Sequence, residues 1–432
     1  MRRNGHGASY HEPQAAIELV LQDAAFHGLA GDIVKTISPF TEAHPAALLI
    51  YFLVAFGNLI NRSAHARVEH TEHCLNEFAV LVADTSQGKG TSRSTIDYML
   101  NAVDRDWQSG RVKSGLSSGQ GLIWNVRDPI TESHPIREKG RVTGYQDVIV
   151  DQGEDDKRLF IVEEEFSQPL RMMQLDGNIL SVVIRQAWDS GNLRTLTTGR
   201  KQSPVEATDA HISIVGHITK AELLRHLEDV EQANGFANRF LWFCVKLSKE
   251  IPNPTGTPDE LLHPLTARIE GAVAYGRKTT EIIRDEKAET IWAGIYHTLR
   301  TAKPGLVGAI VARGAAQVMR LSCLYALLDL SDKVRPEHLL AALAVWDYSQ
   351  ASVALIFGDA LGDPMADRIL AALRASEEGL SETEIAAMFG RHNYEGIDRA
   401  LGLLLTMGKI EGKAIPTAGR PKTVFCIKKT KA

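Results

Sequence analysis

Apolar positions fall into three kinds of run along this chain. Between residues 13 and 62 they recur at helical spacing, with breaks at His27-Gly28 and Ser38-Pro39-Phe40, which predicts about three helices. Within them, AALLIYFLVAFGNLI at 46–60 is apolar on every side and reads as a buried helix. Its 15 residues fall short of the ~18–20 that span a bilayer. From 67 to 246, short apolar runs alternate with helical patterns. The runs at 78–82, 111–114, 159–162, 211–215 and 240–245 read as strands. Strands alternating with helices predict a mostly parallel α/β sheet. The polar stretch 138–157 reads as an exposed loop or hairpin at the foot of that sheet.

Beyond the proline-rich break IPNPTGTP at 251–258, long helical patterns fill 258–358. A second break at Gly362-Asp363-Pro364 precedes three amphipathic patterns, at 365–375, 380–388 and 396–408, and then a strand pair around 416–421. Three helices followed by a β-hairpin predict a winged helix. The expected organisation is an N-terminal helical region (1–66), an α/β core (67–250), a helical domain (258–360) and a winged-helix unit (363–432).

The first core strand leads into the most informative local pattern. After FAVLV come Asp84-Thr85-Ser86-Gln87 and Gly88-Lys89-Gly90-Thr91-Ser92, and then Ile96, Met99, Leu100 and Val103 at helical spacing. Strand, glycine loop, lysine and helix in that order make the phosphate cradle of a P-loop NTPase. Loop N–H groups and the positive helix end face the anion, and Lys89 adds a mobile ammonium. ATP and Mg²⁺ are the expected ligands. The loop is a variant of G-x-x-x-x-G-K-[ST]: Ala83 stands where the first glycine belongs, and Gly90 follows the lysine. The Gly-Lys-Gly-Thr order is similar to that of adenylate kinases. Thr91 and Ser92 are therefore both candidates for phosphate or Mg²⁺ contact, and the spacing does not choose between them.

About 70 residues further on, the apolar run RLFIV ends in Glu163-Glu164-Glu165. A P-loop ATPase needs one carboxylate for the Mg²⁺ shell and a neighbour to orient or deprotonate water. Glu163 fits the metal side. In an extended strand end Glu165 shares its face, which favours Glu165 over Glu164 as the base. The run HISIVGHIT ends at His217 and Thr219, either placed to sense an outer phosphate, while Thr219 and Glu222 also match a capping box. Arg239 precedes the last core strand, positioned to reach a neighbouring subunit's nucleotide or to pair an acid in its own chain. Arg313 and Arg320, seven apart, share one helix face. Ser117 or Ser118 reads as the N-cap of a short helix.

Bulk properties narrow the partners. A net charge of −5 gives no global signature of nucleic-acid binding, so any such binding needs a local patch. Residues 409–432 supply one, with seven basic residues against Glu411 leaving +6. The DNA contacts expected are Arg391 and Arg399 on the third helix and Lys413, Arg420 and Lys422 on the wing. The four cysteines stand alone, which favours a reducing cytoplasm over a disulfide framework or a zinc site. Neither a secretory leader nor a membrane span is expected.

Taken together, FHGLAGDIV, the modified lysine loop, SGLSSGQGLIW, VEEEF, RQAWDSGNLRTLT, HISIVGHIT and NGFANRFLW resemble a P-loop NTPase family of actinobacterial chromosomes, plasmids and prophages. Members are often encoded beside, or fused to, primase-polymerase modules. The likeness covers about residues 25–250 closely. The helical domain more loosely resembles the lid of AAA+ ATPases, including minichromosome-maintenance helicases. The resemblance implies a RecA/AAA+-like core working as a homo-oligomeric ring, a hexamer in the fullest form, that drives replicative helicase activity of a mobile element. It implies Arg239 acting across the subunit interface, Arg313 contacting the γ-phosphate and a primase-polymerase as partner. The alternative is a nucleotide-gated DNA-binding switch: a helicase loader, regulator or defence component. Two departures bear on that choice. Ala83 replaces a glycine, and Gln120 stands where relatives are expected to carry glutamate; either weakens hydrolysis while leaving binding intact.

Overall fold

In a computed structural model the chain is described at residues 19–83, 91–195, 205–227, 235–302, 305–358, 364–376, 378–389, 394–415 and 422–428. The N-terminal region holds two α-helices, α1 (Gly28–Ile37) and α2 (Pro45–Leu59); the remaining helical pattern resolves into 3₁₀ turns at Asp23–Phe26 and Ser38–Phe40. Pro45 opens α2, and the His44 ring caps it by accepting the Ala46 N–H at 3.2 Å. Every residue of α2 from Ala46 to Leu59 is buried, as an all-apolar helix requires. Its one polar side chain, Asn58, is a hydrogen-bond hub. The amide donates to the carbonyls of Leu159 (3.1 Å) and His211 (2.9 Å) and accepts from the Trp107 indole (2.8 Å).

The sheet is α/β and all parallel. Its strands are β1 (Phe78–Val82), β2 (Val112–Lys113), β5 (Arg158–Glu163), β6 (His211–Ile218) and β7 (Phe240–Cys244), in the spatial order β7-β1-β6-β5-β2. Phe78 pairs with Phe240 on one side and Ile214 on the other, so the strand starts align along one edge and their carboxyl ends along the other. Burial on both faces explains why β1, β6 and β7 read as unbroken apolar runs. The second expected strand is short, Val112–Lys113; just before it the Arg111 carbonyl accepts the Phe160 N–H (2.9 Å), and the Arg111 side chain donates to the carbonyls of Arg158 (2.6 Å) and Asn125 (2.7 Å).

Between β2 and β5 stand α5 (Gly119–Trp124) and a hairpin of β3 (Ile130–Glu138) and β4 (Arg141–Asp151). The hairpin starts earlier than the polar stretch suggested, and most of it is exposed on both faces. Bidentate Arg127–Asp151 bonds (2.8 and 2.9 Å) and Lys157–Asp128 (2.7 Å) fix its base.

The helices that matter for the site follow the strands: α3 (Thr91–Val103) and α4 (Arg105–Gly110) after β1, α6 (Ser167–Met173) and α7 (Leu180–Asp189) after β5, and α8 (Lys220–His226) after β6. The helical domain contributes α9 (Asp259–Gly276), α10 (Glu286–Arg300), α11 (Gly314–Leu328) and α12 (Pro336–Phe357). By length and composition α12 is the one described helix capable of crossing a bilayer, yet most of its apolar residues sit inside the protein core, Leu340 and Leu355 being exposed. A single hydrophobic cluster joins residues from Leu21 to Phe357, through the N-terminal helices, the sheet and the helical domain.

A second, separate cluster runs from Ala366 to Phe425. It is built by α13 (Pro364–Ala375), β8 (Leu380–Ser381), α14 (Glu382–Phe389), α15 (Tyr394–Thr406), β9 (Ile410–Ile415) and β10 (Lys422–Ile427), with the sheet order β8-β10-β9. Ser381 and Glu384 open α14 with reciprocal bonds.

Candidate functional site

The carboxyl edge of the sheet gathers most of the residues singled out from sequence. Past β1 the chain continues to Ala83, whose N–H donates to the Ile218 carbonyl at the end of β6 (3.1 Å). Gly88, Lys89 and Gly90 lie outside the described residues, and α3 opens at Thr91 and Ser92 on the far side of them. Arg93, in the first turn of α3, pairs with Asp97 (2.6 Å) and reaches Glu164 (3.5 Å). The helix start and the acidic turn are thereby joined.

The acids do not follow strand alternation. β5 ends at Glu163, and 164–166 form a turn, so the shared-face argument for Glu163 and Glu165 does not hold. Glu163 is only 5% exposed, and its Oε1 accepts the Leu116 N–H at 2.6 Å. Burial raises its pKa, and the N–H groups of Leu116 and Gly115 partly offset this. Glu164 and Glu165 are both exposed, but Glu164 is paired with Arg93, which leaves the Glu165 carboxylate without a partner among the described residues. Exposure, and not strand parity, distinguishes Glu165 from Glu163.

The turn is locked to β6. The Phe166 N–H donates to the His217 carbonyl (2.9 Å), and the Phe166 ring lies over Gly216, where an added Cβ would come within 2.5 Å of it. Only glycine permits that approach. His217 is buried at the strand tip, 1% exposed, and Thr219 forms the full capping box with Glu222. Ser118, of the two serines considered, caps α5 by accepting the Gly121 N–H at 3.1 Å. Glu164, Glu165, Ser167, His217 and Thr219 line a cavity of about 660 Å³ that also takes in Arg171, Glu222, Arg225 and His226. Arg93, Arg171 and Arg225 were not singled out from sequence. The one signal available was the Arg93–Asp97 spacing of four.

Arg239 and Arg313 lie elsewhere. Arg239 immediately precedes β7 and is therefore at the amino edge, about 16 Å from the carboxyl edge at ~3.3 Å per residue. It is 6% exposed, pairs with Asp189 (2.5 Å) and donates to the Gly235 carbonyl. Of its two sequence readings, this is the in-chain pairing. Arg313 bonds Asn238 (3.0 Å) and Asp189 (3.2 Å) at the same edge, which corrects its expected placement on the γ-phosphate of its own chain. Arg320, fully buried, sits 3.7 Å from the centre of the Trp188 ring and donates to the carbonyls of Asn76 (3.1 Å) and Trp188 (2.9 Å). It is not a solvated arginine. Beside it, burial pushes the Glu77 carboxyl up to about 8.

In the second cluster Arg399 is exposed on α15, Lys413 pairs with Glu411 (2.8 Å), and Lys422 pairs with Glu384 (3.6 Å). Arg391 and Arg420 lie outside the described residues.

Among the described residues, one group has metal-ligand chemistry: His27, Asp329 and His338. Its geometry is that of an ion-pair network. Asp329 Oδ2 receives His27 (2.9 Å), His338 (3.3 Å) and Arg335 (3.2 Å). Nδ1 of His338 accepts the Arg335 backbone N–H (3.0 Å), so the ring proton belongs on Nε2, the atom a metal would need. Those bonds, His338's first, hold the Asp329 carboxyl down to about 2. No family model and no curated protein matches this chain.

Proposed function

We propose that the chain binds ATP with Mg²⁺ at the carboxyl edge of its sheet and couples hydrolysis to work on DNA, as a homo-oligomeric, replicative-helicase-like motor of a mobile element. The observation that carries this reading is the convergence of both flanks of the lysine loop on the acidic turn and the polar strand tip, through Ala83–Ile218, Arg93–Glu164 and Phe166–His217. Lys89 and the first turn of α3 would hold phosphate, with Thr91 or Ser92 toward the metal. A carboxylate at this strand end is the donor type Mg²⁺ takes, and Glu163, already held by the Leu116 N–H, would offer it to the cation or to its water. Bound Mg²⁺ would neutralise charge on the outer phosphates. Glu165 would orient or deprotonate the attacking water, and His217 would sense the phosphate being transferred. The unit from Pro364 to Ile427 has the element order of a winged helix and would hold DNA through its basic strands.

A second reading is favoured by one observation. Arg239 is committed to Asp189 in its own chain, and a ring motor needs such an arginine free to face its neighbour. A nucleotide-gated DNA-binding switch with little turnover does not. DNA-stimulated ATPase measurements separate the two. The motor requires turnover that Lys89→Ala and Glu165→Gln abolish. A wild-type protein that binds ATP but turns over none, with or without DNA, overturns the motor and keeps the switch.

A further inference from the structure

Two arginines at the carboxyl edge have no place in the reading above. Arg171 projects from α6 and Arg225 from α8, and both line the cavity that contains Glu165 and His217. The Gln174 side chain, just past α6, donates to the His226 carbonyl at the end of α8 (3.0 Å), so the two helices carry their arginines to a common space.

Partners in that space are unevenly distributed. Glu164 is occupied by Arg93 at 3.5 Å, and Glu222 by the Thr219 hydroxyl at 2.8 Å. Glu165 is then the one uncommitted carboxylate facing two guanidinium groups that have no ion pair among the described residues. The arginines of the amino edge are held by Asp189, Asn238 or backbone carbonyls. The lining carries Glu164, Glu165 and Glu222 against Arg171 and Arg225, so it is not positive overall; what it offers an oxyanion is two guanidinium forks without an ion pair among the described residues, and such a fork matches phosphoryl oxygens two at a time.

We infer that Arg171 and Arg225 bind the terminal phosphoryl group of a nucleoside triphosphate and make the site prefer triphosphate over diphosphate. This rests on the nucleotide-binding reading and extends it. The role belongs to these two residues, on the chain's own α6 and α8, and not to Arg239 or Arg313. Both side chains are exposed, so their removal leaves the packed core untouched.

The test is equilibrium binding of a non-hydrolysable ATP analogue and of ADP, each with Mg²⁺. The proteins are the wild type, Arg171→Ala, Arg225→Ala, the double variant, both lysine replacements and Lys89→Ala. Each alanine variant is expected to lower the triphosphate-to-diphosphate affinity ratio about tenfold, the loss of one charge-assisted contact, with ADP affinity unchanged. Lysine should restore part of the ratio, and Lys89→Ala should weaken both ligands. A double variant with the wild-type ratio overturns the inference while nucleotide binding stands, including the case in which only DNA affinity falls. A wild-type protein that binds neither nucleotide overturns the nucleotide reading, and the inference with it.

Discussion

The two edges of one sheet show opposite uses of polar residues. At the amino edge, Arg239, Arg313 and Arg320 surround a single indole, Trp188, and their charges are spent on Asp189, Asn238 and main-chain carbonyls. Arg320 and Glu77 are buried there, and burial drives the acid toward its neutral form. At the carboxyl edge, Glu165, Arg171 and Arg225 are exposed, uncommitted among the described residues, and share a cavity. The first arrangement ties the helical domain to the sheet. The second leaves charge available for a ligand. An arginine beside a core strand is therefore uninformative until its edge is known.

The comparison breaks most visibly at Glu165. Glu165→Gln should lower ATP turnover by about 10²–10⁴-fold with nucleotide affinity kept, whereas Glu164→Gln, which removes only an exposed pair with Arg93, should cost far less. Equal losses from both would mean that exposure does not identify the base. At the other edge, Trp188→Ala should destabilise by about 3–5 kcal/mol in urea unfolding, because it removes the ring on which three arginines rest. An unchanged midpoint would show that the amino edge is no strut.

Glu77 sharpens the contrast through pH. Its folded pKa, about 8, lies above the 4.5 of the free side chain, so between those values the folded state holds a proton that the unfolded state has released. Its contribution is complete below about 4.5 and is lost as pH rises toward about 8, by on the order of 1.4 kcal/mol per pH unit. Glu77→Gln should flatten that slope in unfolding measured from pH 5 to 8. His211, at the same edge, acts in the other direction. Burial lowers its pKa to about 3, so stability present above 6.5 is lost as pH falls below that value. The smallest expected change is Lys413→Ala with Lys422→Ala. These break exposed surface pairs, leave the melting temperature nearly fixed, and reduce the salt dependence of DNA affinity. A salt dependence identical to wild type would remove the wing from DNA contact.

How far the sequence reveals these edges follows from what periodicity encodes. The strands of a parallel sheet buried on both faces are continuous apolar runs, and all five were legible to within a few residues. The shortest, Val112–Lys113, falls inside the run expected at 111–114. Periodicity gives the face of an element, and so placed Arg313 and Arg320 together, but it carries no information on which edge that face meets. The order of the three acids was missed for a related reason. The chain leaves the strand at Glu163 because Phe166 packs over Gly216, a contact between segments about 50 residues apart. Arg171 and Arg225 sit on short helices, and although the Thr219–Glu222 capping box marks the start of one, nothing in the sequence points to either arginine. That Asn58, inside the apolar run at 46–60, bonds two strands and an indole is not legible from periodicity, which carries no long-range partner.

The two hydrophobic clusters also bear on how such a chain can be inherited. Because α2 lies behind the sheet and Asn58 bonds to β5 and β6, α2 and the strands must diverge as a matched set; a crossover between them would pair surfaces that no longer fit. The segment from Ala366 to Phe425 has its own interior, so recombination can exchange it without any repacking of the core that carries the lysine loop and the acids. Under the proposed function, the target recognised would then change from one lineage to the next without disturbing the carboxyl edge of the sheet.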